Sequence, residues 1–336
     1  MTPVTGKIEA VPRVLSGMRP TGPLHLGHLV GALANWKALQ GRYDCFFMVA
    51  DYHALMSEYE HPERIREWSC DNVADWLAAG IDPSRSVLFR QSDVPEHLEL
   101  FTILAITTPL GWVERVPTYK EQLREIEGRD LATYGFLGYP VLQAADILLY
   151  RAHAVPVGED QLPHLELARE IVRRVQFLTK RELFPEPKAL LTEAPKLLGT
   201  DGRKMSKSYG NTIALSASPE QIRSTAQKMF TDPLRIKMTD PGHPETCNVC
   251  NYWRIFNPAE ADRLWEECRT SRRGCVQNKR ELGEHLVRVT EPFRASRARA
   301  AKAGIERILQ EGAERARAVA RETLADVKRA FGLSPA

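Results

Sequence analysis

At 336 residues and 38.0 kDa the chain is long enough for two domains, one of them large. Its apolar fraction of 43% and charged fraction of 26% are those of an ordinary globular protein, which excludes collagen-like and disorder-prone classes. No apolar run approaches the roughly 20 residues that cross a bilayer, and the opening residues MTPVTGKIEAVPR lack the apolar core of a secretory signal. A cytoplasmic location with no membrane partner is therefore expected.

From residue 13 short apolar runs alternate with longer helical stretches, the pattern of a parallel sheet with helical crossovers. RVLSG (13–17) reads as the first strand and CFFMVAD (45–51) as the second. Between them HLVGALANWKALQ carries Leu29, Leu33, Trp36 and Leu39 at helical spacing, which completes a βαβ unit. The helix PERIREWSCDNVADWLAAG leads into a third strand, SVLFRQS (86–92). Helices are predicted over 96–107 and 140–150, then a strand AVPVG (154–158) and a helix from Leu162 to Val175. After the basic loop 199–210 the alternation stops. From about residue 219 the pattern is helical, with 296–331 a long amphipathic helix or a close pair of them. The chain is thus expected to divide into an open α/β unit over 1–215 and an all-helical unit over 216–336. Ligands of open α/β sheets sit at the carboxyl ends of the strands, so the chemistry is expected in the loops after 17, 51, 92, 158 and 198.

The net charge of +3 hides an asymmetry: residues 269–329 hold 16 Lys and Arg against 8 Asp and Glu, or +8, which leaves −5 on the rest. A basic segment on an acidic body points to a polyanionic partner meeting one end of the molecule, or to a solvated helix face. Charge alone leaves both open.

The loop SGMRPTGPLHLGH (16–28) joins the first strand to the first helix and places three glycines and two histidines at a helix N-terminus. Unpaired backbone N–H groups and the positive end of the helix dipole suit that place to a phosphate. Gly17 and Gly27 would let a ligand reach the backbone, and His25 and His28 would donate hydrogen bonds to phosphate oxygens as charge develops; a plain helix cap is the bland alternative. No G-x-x-x-x-G-K-[ST] occurs in the chain, so a nucleotide here is not held by a P-loop. A second loop, GTDGRKMSKS (199–208), carries Lys204 and Lys207 on a Gly-containing arm that could close on a triphosphate. In YPVLQAADILLY (139–150), Gln143, Asp146 and Tyr150 share one helix face, and Asp146 is a carboxylate amid apolar neighbours that needs a partner.

Taken together, HLGH at 25–28 and KMSKS at 204–208 resemble the two signatures of class I aminoacyl-tRNA synthetases. SGMRPTGPLHLGH, DYHA (51–54), YPVLQAADILLY and VPVGEDQLPHLELARE (155–170) narrow the resemblance to the tryptophanyl-tRNA synthetases, over about residues 13 to 333. The resemblance implies a Rossmann-like doubly wound parallel sheet followed by a helical domain that binds the tRNA anticodon. It also implies a homodimer, with its interface within 95–150. The implied activity is tryptophan–tRNA ligation: ATP, with Mg²⁺, activates L-tryptophan to tryptophanyl-adenylate and pyrophosphate, and the tryptophan then passes to tRNA(Trp). His25, His28, Lys204 and Lys207 take the catalytic places. Gly17, Arg19, Thr21, Gly27, His28, Gly158, Asp160, Lys204, Met205, Ser206, Lys207 and Ser208 fall where the family binds ATP. Leu15, Gly17, His53, Tyr139, Gln143, Asp146, Val155, Val157 and Gln161 fall where it binds tryptophan.

The chemistry agrees with those roles. An indole N–H is a donor only, so a placed carboxylate such as Asp146 reads it and is left unpaired if phenylalanine enters. The carboxylate of the amino acid is already ionised at neutral pH and can attack the α-phosphorus without a general base of unusual pKa. What remains is positioning and stabilisation of the leaving pyrophosphate. Arg19 departs from the Gln that many members carry there and adds positive charge near substrate or phosphate. Glu159 and Asp160, at a strand-to-helix turn, double as ordinary helix-dipole partners. Other readings stay open here: a tyrosine-specific enzyme of the same class, a paralogue serving as regulator or RNA-binding module, and a nucleotidyltransferase with an HxGH loop.

Cys45 and Cys70 lie in apolar or helical surroundings and read as buried thiols. Cys247, Cys250, Cys268 and Cys275 cluster, and such a group in a reducing compartment favours a metal over disulfides. Some bacterial members of the family resemble this chain here and hold a [4Fe-4S] cluster, but their pattern ends C-x6-C-x2-C and Asn278 stands where the last cysteine would be. A four-thiolate iron–sulfur cluster, a zinc site on the same thiols and a set of thiols without metal all remain open.

Overall fold

Apolar residues on alternate positions of each strand feed two cores, one on either face of a five-stranded sheet. The computed structural model describes residues 11–117, 133–191, 197–203, 205 and 209–335. The strands are β1 (Arg13–Met18), β2 (Asp44–Val49), β3 (Ser86–Arg90), β4 (Ala154–Val157) and β5 (Lys188–Leu191). All pair in parallel, in the order β3-β2-β1-β4-β5. Val14, Phe47, Val49 and Leu88 enter one core, Leu15, Phe46, Met48, Val87 and Phe89 the other.

The first core is covered by α1, which runs as Leu26–His28, a π-helical turn Leu29–Leu33 and then Ala34–Leu39, and by α3 (Ile65–Ala78). Between them lies the short α2 (Asp51–Glu58). The second core is covered by α4 (Glu96–Thr107), α6 (Tyr134–Leu149) and α7 (Leu162–Thr179), with α5 (Leu110–Glu114) alongside. Connections leaving β1 and β2 therefore cross one face and those leaving β3 and β4 cross the other. The strand order reverses between β1 and β4, and the carboxyl ends of those two strands frame the crevice in which doubly wound sheets hold ligands.

Beyond β5 the described elements are helices: α8 (Pro219–Lys228), α9 (Asn248–Phe256), α10 (Pro258–Arg269), α11 (Cys275–Ala300) and α12 (Ile305–Ala330). Ile222, Tyr252, Trp253, Leu264, Leu282, Leu286 and Phe293 extend the first core outward from the sheet. Helix α12 does something else. It returns to the sheet and lies along β3, with Ala313, Ala316, Ala320, Leu324 and Val327 in the second core. Arg315 donates to the carbonyls of Pro83 and Ser86, so the helix covers a strand edge that would otherwise stay open.

The predicted strands and helices stand, with local differences. Strand β2 ends at Val49 and Asp51 opens a helix. Helix α6 starts at Tyr134, capped by the Thr133 hydroxyl accepting from Phe136 N, so Pro140 sits inside it instead of opening it. The helical stretch expected over 296–331 resolves into the end of α11 and all of α12, broken at Gly304, whose φ of 71° lies in the left-handed region.

Candidate active site

A cavity of about 530 Å³ opens at the carboxyl ends of β1 and β4. Leu15, Gly17 and Arg19 reach it from β1 and the loop beyond, His53 from α2, and Tyr139, Gln143 and Asp146 from successive turns of α6. Val155, Val157, Gly158 and Gln161 close it from β4 and the turn that follows. Every position that the resemblance assigns to tryptophan thus borders one space. Trp36 walls it, its indole N–H fixed by the Ser16 hydroxyl at 3.0 Å.

At the deep end Asp146 is 2% exposed and held by three N–H donors. Gln91 Nε2 and His97 Nδ1 donate to Oδ1 at 2.8 and 2.7 Å, and His53 Nε2 donates to Oδ2 at 2.8 Å. Burial by itself would raise this carboxyl; the hydrogen bonds it accepts from His53 and His97 outweigh that and hold the group below its ordinary value. The cavity therefore ends in a buried, ionised acceptor.

The outer part is built differently. Arg19 is the basic side chain of the lining, exposed to the cavity; the protein packed about it lowers its guanidinium from the usual value, against the pull of Tyr139 and Glu58. A guanidinium so shifted still stays charged at neutral pH. Tyr139 OH pairs with His164 Nε2 at 2.7 Å, and burial pushes His164 down to about 4, so that its imidazole is neutral. Asp160 folds back over Gly158, where a Cβ would come within 2.6 Å of Asp160 Oδ1, and accepts from Gln161 Nε2 at 2.9 Å. That close approach is what glycine allows at 158.

The His25–His28 loop lies beside this cavity, outside its lining. Its imidazole centroids are 3.8 Å apart, and His25 N–H donates to His28 Nδ1 at 3.2 Å, which leaves the proton of a neutral His28 ring on Nε2. Leu26 N donates to Ile213 O and Leu215 N to Leu24 O, so the segment after the second signature is laced to the first. Met205, buried, packs on Gly27, where a Cβ would stand 3.3 Å from its Sδ. Thr21 is half-buried in the same loop. Lys204, Ser206, Lys207 and Ser208 lie outside the described residues.

The family described as tRNA synthetases class I (W and Y) matches residues 7–291. This chain belongs to it. The synthetase is 48% identical to a tryptophan–tRNA ligase of Thermotoga maritima, over 96% of this chain and 99% of that one. It is 42% identical to that of Aquifex aeolicus, over 96% and 100%. Among solved structures, the tryptophanyl-tRNA synthetase of Campylobacter jejuni complexed with ADP and tryptophan superposes with a TM-score of 0.86 at 34% identity, covering 95% of this chain and 99% of that one.

Gln91, His97 and His164 of this synthetase were not singled out by the sequence. Gln91 and His97 stand 55 and 49 positions from Asp146, which no local pattern connects. His164 lies in LPHLELARE, within a motif the resemblance did use, but nothing in its spacing sets it apart.

In the helical region Cys250 hydrogen-bonds with both Cys247 and Cys268, which lowers those two thiols and raises the central one. Cys275 lies near enough to be raised by burial and by its neighbours Cys247 and Cys268. Among the described residues no group of three or more His, Cys, Asp or Glu is arranged to hold a metal ion. Asn278 Nδ2 donates to Cys250 Sγ at 3.7 Å while its Oδ1 accepts from Trp253 Nε1 and Arg273 Nε. The position where the relatives' pattern ends in a cysteine is thus a carboxamide already committed on both sides. A four-thiolate group here would need Cys250 as its fourth ligand beside Cys247, Cys268 and Cys275.

Proposed function

We propose that this synthetase is a tryptophan–tRNA ligase, converting L-tryptophan and ATP to tryptophanyl-adenylate and pyrophosphate and then esterifying tRNA(Trp). The observation that carries this reading is the buried, ionised Asp146 at the closed end of an apolar cavity, in a chain whose similar relatives are named tryptophan–tRNA ligases. An indole entering between Leu15, Val155 and Val157 would meet that acceptor with its N–H, while its α-carbon end would lie toward Gly17, Arg19 and Gln161. Arg19 would hold a carboxylate or the α-phosphate near it, an effect of charge on affinity and orientation. ATP enters with Mg²⁺. His25, His28, Gly27 and Met205, brought together at the helix start, would hold the phosphates with Lys204 and Lys207 and stabilise the departing pyrophosphate. Gly158, Asp160, Thr21, Ser206 and Ser208 complete the nucleotide side of this reading.

Residues 1–215 would then act as the catalytic unit and the helices from 216 as the tRNA-binding unit. A homodimer would use the exposed apolar side chains of Leu98, Ile106, Leu110 and Tyr134, all within 95–150. For Cys247, Cys250, Cys268 and Cys275 we favour a structural set of hydrogen-bonded thiols. One preparation, purified without oxygen, tests these points. Pyrophosphate exchange with each standard amino acid should respond to tryptophan alone, and exchange with none would overturn the ligase reading. A hydrodynamic mass of one chain would count against the dimer. Broad brown visible absorbance would restore the iron–sulfur cluster.

A further inference from the structure

The hydrogen bonds on Asp146 are shared unevenly between its two oxygens. Oδ1 accepts from Gln91 and His97, neither of which borders the cavity; Oδ2 accepts from His53, which does. An ionised carboxylate offers about four lone-pair sites. Oδ1 is therefore filled from behind, and Oδ2 keeps one acceptor site on the cavity side.

His97 is itself held. Its Nε2 lies 2.8 Å from the hydroxyl of Tyr150, one helical turn beyond Asp146, and both residues are 0% exposed. The Phe89 ring stacks on His97 at 6.1 Å, and Phe46 and Phe89 flank Tyr150 at 4.9 and 5.3 Å. Burial, with Asp146 and Glu96 adding to it, raises Tyr150 well above its ordinary value, so the hydroxyl keeps its proton. Donating that proton to Nε2 leaves the ring proton of a neutral imidazole on Nδ1, aimed at Asp146. Rotating the imidazole would break both bonds and strand buried polar groups among aromatic rings.

We propose that His97, anchored by Tyr150, is a positioning residue that fixes Asp146 so that a single acceptor site on Oδ2 faces the cavity, and thereby sets selectivity for an amino acid whose ring carries one N–H donor. This rests on the tryptophan reading above. Without His97, Gln91 alone holds Oδ1 from behind, and the carboxylate is free to turn about χ2, offer either oxygen, and satisfy itself with water or with a donor placed elsewhere. The match to an indole N–H is then no longer enforced.

The test compares pyrophosphate exchange by the full-length protein with tryptophan and with the analogue whose ring N–H is replaced by sulfur. In His97→Leu the tryptophan-over-analogue ratio of kcat/KM should fall about 10- to 100-fold, the scale of one hydrogen bond to a charged acceptor. The change should lie in KM for tryptophan, with KM for ATP and kcat within a few-fold. His97→Asn, which keeps a donor near the Nδ1 position, should retain most of the ratio, and Tyr150→Phe should lose part of it. An unchanged ratio in folded His97→Leu overturns the proposal. Should that variant not fold, the other two decide: a ratio kept in Tyr150→Phe and lost in His97→Asn also overturns it. Wild-type protein that exchanges with tryptophan but fails to reject the sulfur analogue overturns this inference alone, whereas wild-type protein with no exchange removes the ligase reading beneath it.

Discussion

His164 couples the cavity to pH. Its imidazole is buried against Tyr139 and titrates at about 4, whereas in the unfolded chain it would titrate near 6.5. Between those values the unfolded state binds a proton that the folded state refuses. Stability from this residue is thus complete above about pH 6.5 and falls as pH drops toward 4, by up to about 3 kcal/mol. Denaturant midpoints of wild type and His164→Gln, measured near pH 7 and near pH 4.5, should show the larger acid loss in wild type. Equal losses would mean that the buried imidazole is not the responsible group. Asp146 contributes outside this window, since a carboxyl held below its ordinary value loses its contribution only at still lower pH. The two residues also show what can be read from a sequence at this site. Asp146 stands out because a carboxylate on an apolar helix face demands partners; of the two residues spaced onto its face, Gln143 borders the cavity, while Tyr150 turns to His97 in the core. Its partners do not stand out: Gln91 and His97 come from the end of β3 and the start of α4, and only folding brings them to α6.

Strands β1 to β4 were legible because buried parallel strands are continuous apolar runs bounded by turn residues. Strand β5 was not, since Lys188–Leu191 is a short, half-exposed edge with neither a run nor an alternation to mark it. Pro140 misled in another way. A proline is at home in a first helical turn, but Thr133 caps the helix further upstream and the missing N–H is tolerated inside α6. The least expected contact is that of α12 with β3, for which Gly312 is the enabling residue. A Cβ there would stand 1.7 Å from the Leu88 carbonyl oxygen, so the helix can lie on the strand backbone only while that position is glycine. Gly312→Ala should force α12 off the edge of the sheet and destabilise the protein by about 2 to 4 kcal/mol. Glu314→Ala, on the exposed side of the same helix, should change stability by less than about 0.5 kcal/mol. Thermal or urea unfolding of the pair checks this, and equal effects would remove the special role of the contact.

The +8 segment over 269–329 was read as a surface for a polyanion or a solvated face, and the fold gives parts of it a third use. Arg297 bonds Asp71 and the buried Asp75, Arg317 and Arg321 converge on the buried Glu96, and Lys328 reaches Glu99. These cations tie α11 and α12 to acidic positions of the first hundred residues, and much of the asymmetry in the sequence cancels within the fold. Arg280, Arg288, Arg299 and Lys302, on α11 and just after it, stand exposed instead. A tRNA bound by this region would draw its phosphate contacts from that second group, and each contact adds about 0.7 to 0.9 to the slope of log affinity against log salt concentration. Arg288→Gln with Arg299→Gln should therefore weaken tRNA binding and flatten the slope by about 1.5, leaving pyrophosphate exchange unchanged. Arg317→Gln with Arg321→Gln should leave the slope alone and lower stability by about 1 to 3 kcal/mol, because Glu96 is left buried without its partners. Filter-binding titrations across salt concentrations, paired with unfolding curves, separate the two groups. A slope that falls with the second pair and not with the first would place the RNA along α12 and require its ion pairs to open on binding.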